Sequence, residues 1–266
     1  EAQDRSASFF GALTYTLCDK YVFNLNARFD GADIIGTDNR FTPLWSASFR
    51  WNAMRENFLK DVNFISDLAI RLSYGYTGNI DRSSYPIPMI FLSGYRYDEN
   101  FVAESVTFPN PNIKWERKQD RNFGLDFGFW DNRIGGSFNY YWNTGKDLLG
   151  TMTTPESYGR TSIKANVSSI ENTGWEFNVN LRLDLGANVR WINSFNIAQN
   201  TNKIKKTYLK DLNELNVMGG SDNIEGYASG SMFGYRFAGV NPLTGQAMIY
   251  LTDESRKILA DYRGVD

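Results

Sequence analysis

Histidine is missing from all 266 residues, and cysteine occurs once. Without an imidazole there is no Ser-His-Asp or Cys-His catalysis and no His-ligated zinc or haem. A lone Cys18 closes no internal disulfide and completes no CxxC metal site. Charge of one sign is also missing. The 28 Lys+Arg stand against 30 Asp+Glu, which leaves no general pull toward nucleic acid. No apolar run approaches the roughly 18 residues of a transmembrane helix, although 42% of the residues are apolar. The opening stretch, EAQDRSASFF, lacks the basic and apolar regions of a signal peptide. What is plentiful is aromatic side chain, 15% of the chain, together with 27 Asn and 23 Gly. Disordered chains are poor in aromatics and high in net charge, so a folded chain is expected.

Chemistry-bearing constellations are sparse. Glu116 with Asp120, and Asp126 with Glu176, are carboxylate pairs of the kind a glycosidase uses, but no convergent pocket is legible around either. The run Gly219–Asn223 is Gly-rich yet lacks the GKS or GKT ending of a phosphate loop. Asp222, Asn223 and Glu225 leave a loop calcium site open, with a plain turn as the default. No catalytic residue, metal ligand set or cofactor is assigned, and the chain reads as a non-enzyme.

The dominant signal has a period of two. Tyr21, Phe23, Leu25, Ala27 and Phe29 alternate with Asn24, Asn26, Arg28 and Asp30. The same pattern runs over Asp67–Tyr76 and over Trp175–Leu185. Weaker versions occupy Phe9–Leu17, Trp45–Trp51, Phe123–Phe129, Phe138–Trp142 and Val189–Ile197, with a less clean one over Phe233–Val240. Successive strand side chains point to opposite faces, so each segment is a strand with one apolar and one polar face. Met54–Ile65 is the one helical candidate, and a turn or two is expected there. The strands are long. Trp175–Leu185 spans about 33 Å at roughly 3.3 Å per residue, and a tilt of about 40° lets it cross the roughly 25 Å apolar band of a membrane barrel.

The links alternate in length. Cys18–Lys20, Asp131–Arg133 and Gly186–Asn188 are tight, whereas 79–112, 150–164 and 200–230 are long. Membrane barrels keep short turns on the periplasmic side and long loops outside. Aromatics gather at both strand ends: Tyr21, Trp51, Trp130 and Trp191 near the short turns, and Trp115, Trp142 and Trp175 nearer the long loops. Amphipathic rings favour membrane–water interfaces, so two belts are expected. The expectation is an all-β, antiparallel, up-and-down transmembrane barrel section of about nine or ten strands. The polar face, with Asn24, Asn26, Arg28, Arg71, Asp126, Asn178, Asn180 and Arg182, would line the lumen.

Several motifs resemble the SusC/RagA-type TonB-dependent outer-membrane transporters. They are KYVFNLNARFD at Lys20–Asp30, FLKDVNFISDLAIRLSYGYTG at Phe58–Gly78, and NPNIKWERKQDRNFGLDFGFW at Asn110–Trp130. DNRIGGSFNYYWNTGKDLL follows at Asp131–Leu149, NVSSIENTGWEFN at Asn166–Asn178, and GYASGSMFGYRFAGVNPLTGQAMIY at Gly226–Tyr250. They cover most of the chain in the family's order. One departure is Ser168-Ser169, where the family pattern has glycine before Ile170.

The resemblance implies a 22-stranded barrel in the bacterial outer membrane, of which residues 1–266 form part of one barrel domain. No plug or TonB box is recognised, so a fragment of a larger polypeptide is expected. The implied function is TonB-dependent import of glycans or peptides, with a SusD-like surface lipoprotein, TonB and outer-membrane lipid as partners. Tyr85, Tyr95, Tyr97, Asp98 and Tyr158 are candidate loop contacts to cargo or partner. A passive porin and a soluble β-sandwich carbohydrate-binding module are the alternatives. The sandwich predicts that the apolar faces pack on one another.

Overall fold

In a computed structural model of the chain, the described residues are 5–33, 35, 40–81, 89–98, 100–107, 110, 112–155, 157, 162–186, 189–208, 223–250 and 257–258. The chain divides into two compact units, residues 1–210 with 224–229, and residues 211–223 with 230–266. The larger unit holds an antiparallel eight-stranded sheet. Its strands are β1 (Ser6–Leu17), β2 (Tyr21–Ala32), β3 (Phe41–Asn52), β4 (Ile65–Asn79), β7 (Glu116–Phe129), β8 (Ile134–Thr153), β9 (Ser162–Asp184) and β10 (Arg190–Lys206), and neighbours pair in that order. All eight match expected strands. The hairpin β5 (Met89–Tyr97) and β6 (Asn100–Thr107) lies in the long link before β7 and was not legible as strands.

The last expected strand is only in part what the alternation indicates. It becomes β11 (Phe237–Val240), which pairs with β12 (Ala247–Tyr250) and then β13 (Lys257–Ile258) in a separate three-stranded sheet of the smaller unit. Met248 and Ile249 are buried there, and Arg236 stacks over Tyr250 at 5.3 Å.

All short connections fall at one end of the large sheet. Cys18 and Asp19 take left-handed φ of 52° and 53°, and Lys20 N–H closes the turn on Leu17 O at 3.0 Å. The β3–β4 link carries a single 3-10 turn, Ala53–Arg55, in agreement with the expected turn or two. At β7–β8 three consecutive non-glycine residues, Trp130, Asp131 and Asn132, are left-handed. Each costs about 1–2 kcal/mol, so the turn needs outside support. Phe64 O accepts from Trp130 N–H at 2.8 Å, Ser66 Oγ from Asn132 N–H at 3.1 Å, and Asp131 O from Arg182 at 3.3 Å. At the opposite end the strands run into the expected loops. β8 and β9 continue to Thr153 and from Ser162, and β10 continues to Lys206. Their backbone groups find partners across the hairpin and need no loop.

One hydrogen-bonded rung crosses the whole sheet: Leu17, Tyr21, Trp51, Ile70, Leu125, Phe138, Phe177 and Ile197. Every member is apolar or aromatic and lies on one face. On β1 this rung is the lowest of the apolar window, Phe9 to Leu17, whereas on β10 it is the highest of the window Val189 to Ile197. The window therefore drifts by eight residues over seven strand-to-strand steps. At roughly 3.3 Å per residue and roughly 4.8 Å between strands, that drift is a strand tilt of about 38°. Membrane barrels tilt their strands by about 35–45°.

Candidate functional site

The two faces of the sheet differ in kind. On the apolar face large side chains stay exposed, with Phe9 at 68%, Leu25 at 50% and Phe195 at 58%. A β-sandwich would have buried them, so the packed faces that the sandwich alternative predicts are not observed. The aromatic contacts on this face, Phe23–Phe49 at 5.0 Å between β2 and β3 and Phe127–Phe177 at 6.1 Å from β7 across β8 to β9, stay within the one sheet.

The polar face is a hydrogen-bonded carpet. One rung reads Thr14, Asn24, Ser48, Ser73, Asn122, Tyr141, Gly174 and Asn200. Thr14 donates to Asn24 at 2.9 Å, Asn24 to Ser48 at 3.1 Å, and Asn122 to Ser73 at 3.2 Å. Tyr141 reaches across β9 to Asn200 at 3.1 Å, passing over Gly174. A Cβ at Gly174 would lie 2.6 Å from the Tyr141 ring, so the glycine of the Thr-Gly-Trp-Glu motif is what lets the ring cross. One rung away, Asn26 donates to Ser46 at 3.3 Å and Asn202 to Asn172 at 2.7 Å.

The sequence places eight residues on this face, and the structure brings all eight there. Arg28 pairs with Asp30 at 2.6 Å. Asn178 donates to Ser137 at 3.4 Å, and Asn180 accepts from Ser194 at 2.8 Å. Arg182 is spent on the Trp130 turn. Arg71 and Asp126 form a charged node that also takes Arg50 and Asn139. Arg50 and Arg71 face each other across β3 and β4, which alone would repel. Asp126 bridges them, at 3.1 Å from Arg50 and 2.7 Å from Arg71. The Arg71 guanidinium also donates to Asn139 at 2.9 Å across Gly124, where a Cβ would come within 2.9 Å of it. Arg50, Asn139 and Tyr141 were missed by the sequence reading. The signal for them was the polar partners within Trp45–Trp51 and Phe138–Trp142.

An apolar face with a 38° drift, a hydrogen-bonded polar face and turns sorted by end are the wall of a membrane barrel, and the comparisons agree. Residues 1–260 match the family described as TonB dependent receptor-like, beta-barrel. The chain belongs to the TonB-dependent receptor β-barrel family. It is 36% identical over 245 residues to TonB-dependent receptor P3 of Formosa agariphila, covering 88% of this chain and 24% of that protein. It is 35% identical over 207 residues to TonB-dependent receptor SusC of Bacteroides thetaiotaomicron, covering 75% of this chain and 21% of that protein. Its fold matches the structure of the RagAB peptide transporter with a TM-score of 0.85 at 26% identity, covering 98% of this chain and 29% of that one. It is thus of the SusC/RagA type and resides in the outer membrane, and it spans about a quarter of the length of these relatives.

The expected belt aromatics divide between the two ends of the apolar window. Tyr21, Trp51 and Trp191 stand at the short-turn edge of the apolar window, and Trp130 in the turn beside it. Trp142 and Trp175 stand at the long-loop edge of the apolar window, midway along β8 and β9, where Trp175 donates to Gln199 at 3.0 Å. Trp45, with Tyr74 at 5.5 Å and Tyr76 at 5.7 Å, joins this edge and was not foreseen. Trp115 corrects the expected belt. It is only 8% exposed and packs with Ile35 and Ile113 in a small core at the long-loop end, with Ala32 and Ile80 against it. Burial of its apolar surface there wins over an interface position.

Of the expected loop contacts, Tyr85 and Tyr158 lie outside the described residues. Tyr95 and Tyr97 are exposed on β5, and Asp98, left-handed at φ 49°, turns the hairpin into β6. Of the calcium candidates, Asp222 also lies outside the described residues. Asn223 accepts from Gly230 N–H at 3.4 Å, and Glu225 accepts from Thr207 N–H at 2.7 Å. The described residues hold no cluster of three or more His, Cys, Asp or Glu.

At the short-turn end Glu56 ties the β1–β2 turn to the β3–β4 link. It accepts from Tyr21 at 2.6 Å, Lys20 at 2.9 Å and Trp51 at 3.3 Å. The Tyr21 hydroxyl, and then the Lys20 ammonium, hold the Glu56 carboxyl below its ordinary value, and the Glu56 hydrogen bond raises Lys20. A lowered carboxyl stabilises above its unfolded value of about 4.3 and loses this as pH falls through the folded value. A raised ammonium stabilises below its unfolded value of about 10.4 and loses this as pH rises through the folded one. The tie is thus intact from about pH 5 to about pH 10. Hydrogen exchange of the Lys20 and Glu56 amides at pH 7 should be faster in Glu56→Gln than in the wild type. The difference should shrink as the pH falls through the lowered Glu56 value, and a difference that does not change with pH would refute the tie.

Proposed function

We propose that the chain forms part of the barrel wall of a TonB-dependent importer that carries hydrated oligomers, glycans or peptides, across the outer membrane. The observation that carries this reading is the eight-strand rung of apolar side chains backed by the Asn-rich polar carpet. Lipid takes one face, and a water-filled passage takes the other. Asn24, Asn26, Arg28, Arg71, Asp126, Asn178, Asn180 and Arg182 face the lumen in this reading, and the links near 79–112, 150–164 and 200–230 face outside. Neutral amide walls offer many donors and acceptors without a strong field, which suits glycan hydroxyls and peptide amides alike. The SusC relative and the RagAB peptide transporter support import, with a SusD-like surface lipoprotein at the mouth and TonB supplying energy through a plug.

The test is uptake of labelled oligosaccharides and oligopeptides by cells whose sole transporter of this type is the full-length protein. Import of one class is expected, with loss of most uptake when TonB or the partner lipoprotein is deleted. Uptake that persists without TonB and rises linearly with concentration would mean a passive porin and would overturn the reading.

A further inference from the structure

The apolar face does not end uniformly at the long-loop side. On β1 to β4 it continues upward through Leu13, Gly11 and Phe9, through Ala27 and Phe29, and through Trp45 and Tyr76. On β7 to β10 it gives way to basic residues. Arg121 stands one place above Phe123 on that face, and Arg117 faces Lys146 higher up. Lys203 faces Glu171, with Lys205 next above it. Five cations thus share this flank with two carboxylates, because Arg117 pairs with Asp147 at 2.7 Å and Lys205 with Glu171 at 2.9 Å. Arg121, Lys146 and Lys203 have no carboxylate at ion-pair distance among the described residues. Arg121 instead lies over the Trp142 ring at 4.5 Å.

The strand tilt places this change at the membrane boundary. The apolar window ends at Phe123 on β7, near Trp142 on β8, at Trp175 on β9 and at Ile197 on β10, so Arg121 begins the headgroup zone. Next to it the apolar face is indented over the small Ala47. The groove has a volume of about 540 Å³, and its walls include Leu25, Phe49, Leu72 and Phe123, with Arg121 and Trp142 among its lining residues.

We propose that this flank docks a phosphate-bearing acylated lipid of the outer leaflet, with the phosphates on Arg121, Lys146 and Lys203 and an acyl chain in the groove. Charge complementarity selects the occupant. The cations sit on the side of the sheet opposite the polar carpet, where neither cargo nor plug reaches in the proposed barrel. At this depth the anions available are lipid phosphates. Long basic side chains keep their stems on apolar surface and hold their charge at the interface, and Arg matches phosphate geometry. The inference rests on outer-membrane residence and is independent of what the transporter imports.

The test uses the full-length transporter in neutral detergent, titrated with diphosphorylated lipid A, its dephosphorylated form and phosphatidylcholine, with bound lipid counted by native mass spectrometry. The diphosphorylated lipid should bind at least tenfold more tightly than either other probe. Replacing all three cations (Arg121→Gln, Lys146→Gln and Lys203→Gln) should weaken it about a hundredfold, and Lys203→Gln alone roughly fivefold. The single variant lies above the apolar window and keeps the test meaningful if the triple variant misfolds. Equal binding of the dephosphorylated lipid, or affinity unchanged in Lys203→Gln, would overturn the proposal.

Discussion

Leu125→Arg lowers the folding free energy of the barrel by about 2–4 kcal/mol, whereas Leu17→Arg and Ile197→Arg cost about 0–1 kcal/mol each. All three residues belong to the same hydrogen-bonded rung and the same apolar face. A flat, untilted sheet would give them one depth and one cost. The drift of the apolar window gives them three depths. Leu17 adjoins the Cys18 turn at the lower edge, Leu125 lies near mid-membrane, and Ile197 closes the upper edge of β10. A guanidinium at mid-membrane finds no water, whereas at either edge it snorkels to the interface. Guanidinium unfolding of the full-length protein in phospholipid vesicles measures the three costs. Equal values within error would remove both the tilt and the assignment of this face to lipid.

Gly174→Val destabilises by about 2–4 kcal/mol, because the glycine is itself buried beneath its neighbours on the polar face. Any side chain there meets the Tyr141 ring on one side and the Gln199 carbonyl on the other. The ring must leave, and its hydrogen bond to Asn200, worth about 1 kcal/mol, goes with it. Gly11→Ala is the open-space control: it lies on the apolar face of β1, where nothing is within 4 Å of the added carbon, so its effect stays within about 0.5 kcal/mol. Adding Tyr141→Ala to Gly174→Val should restore part of the loss, because the larger of the two obstacles is then gone. Additive costs in that double variant would show that the ring and the glycine are unrelated. Thermal unfolding of the detergent-purified protein reads Gly174→Val, Tyr141→Ala, their combination and Gly11→Ala.

Two kinds of information separate in this chain. The two-faced strands were legible in the sequence because a strand's side-chain period is local: Tyr21–Asp30 declares which residues share a face without reference to any other strand. The end-to-end sorting of turns was legible too, because Cys18–Lys20 and Asp131–Arg133 carry short polar punctuation. The β5–β6 hairpin was not, since its residues do not alternate, and its pairing slips between Leu92 and Arg96. Trp115 read as an interface tryptophan because proximity to a strand end is visible in sequence. The small core it joins is built from Ile35 and Ile113, brought together only by folding.

By itself, then, the sequence determined an all-β chain with one lipid-compatible face, one polar face and no acid–base or metal chemistry built on histidine. Only the tertiary structure decided depth and partnership. It set which rung crosses mid-membrane, that Asp126 reconciles two facing arginines, and that five basic residues from β7, β8 and β10 meet on one outer flank. The reason is physical. Facing is set within a strand by its pleat, but depth and cross-strand contact are set by register. Register is fixed by backbone hydrogen bonds between strands whose paired residues lie up to 64 positions apart, as Ile65 and Phe129 are.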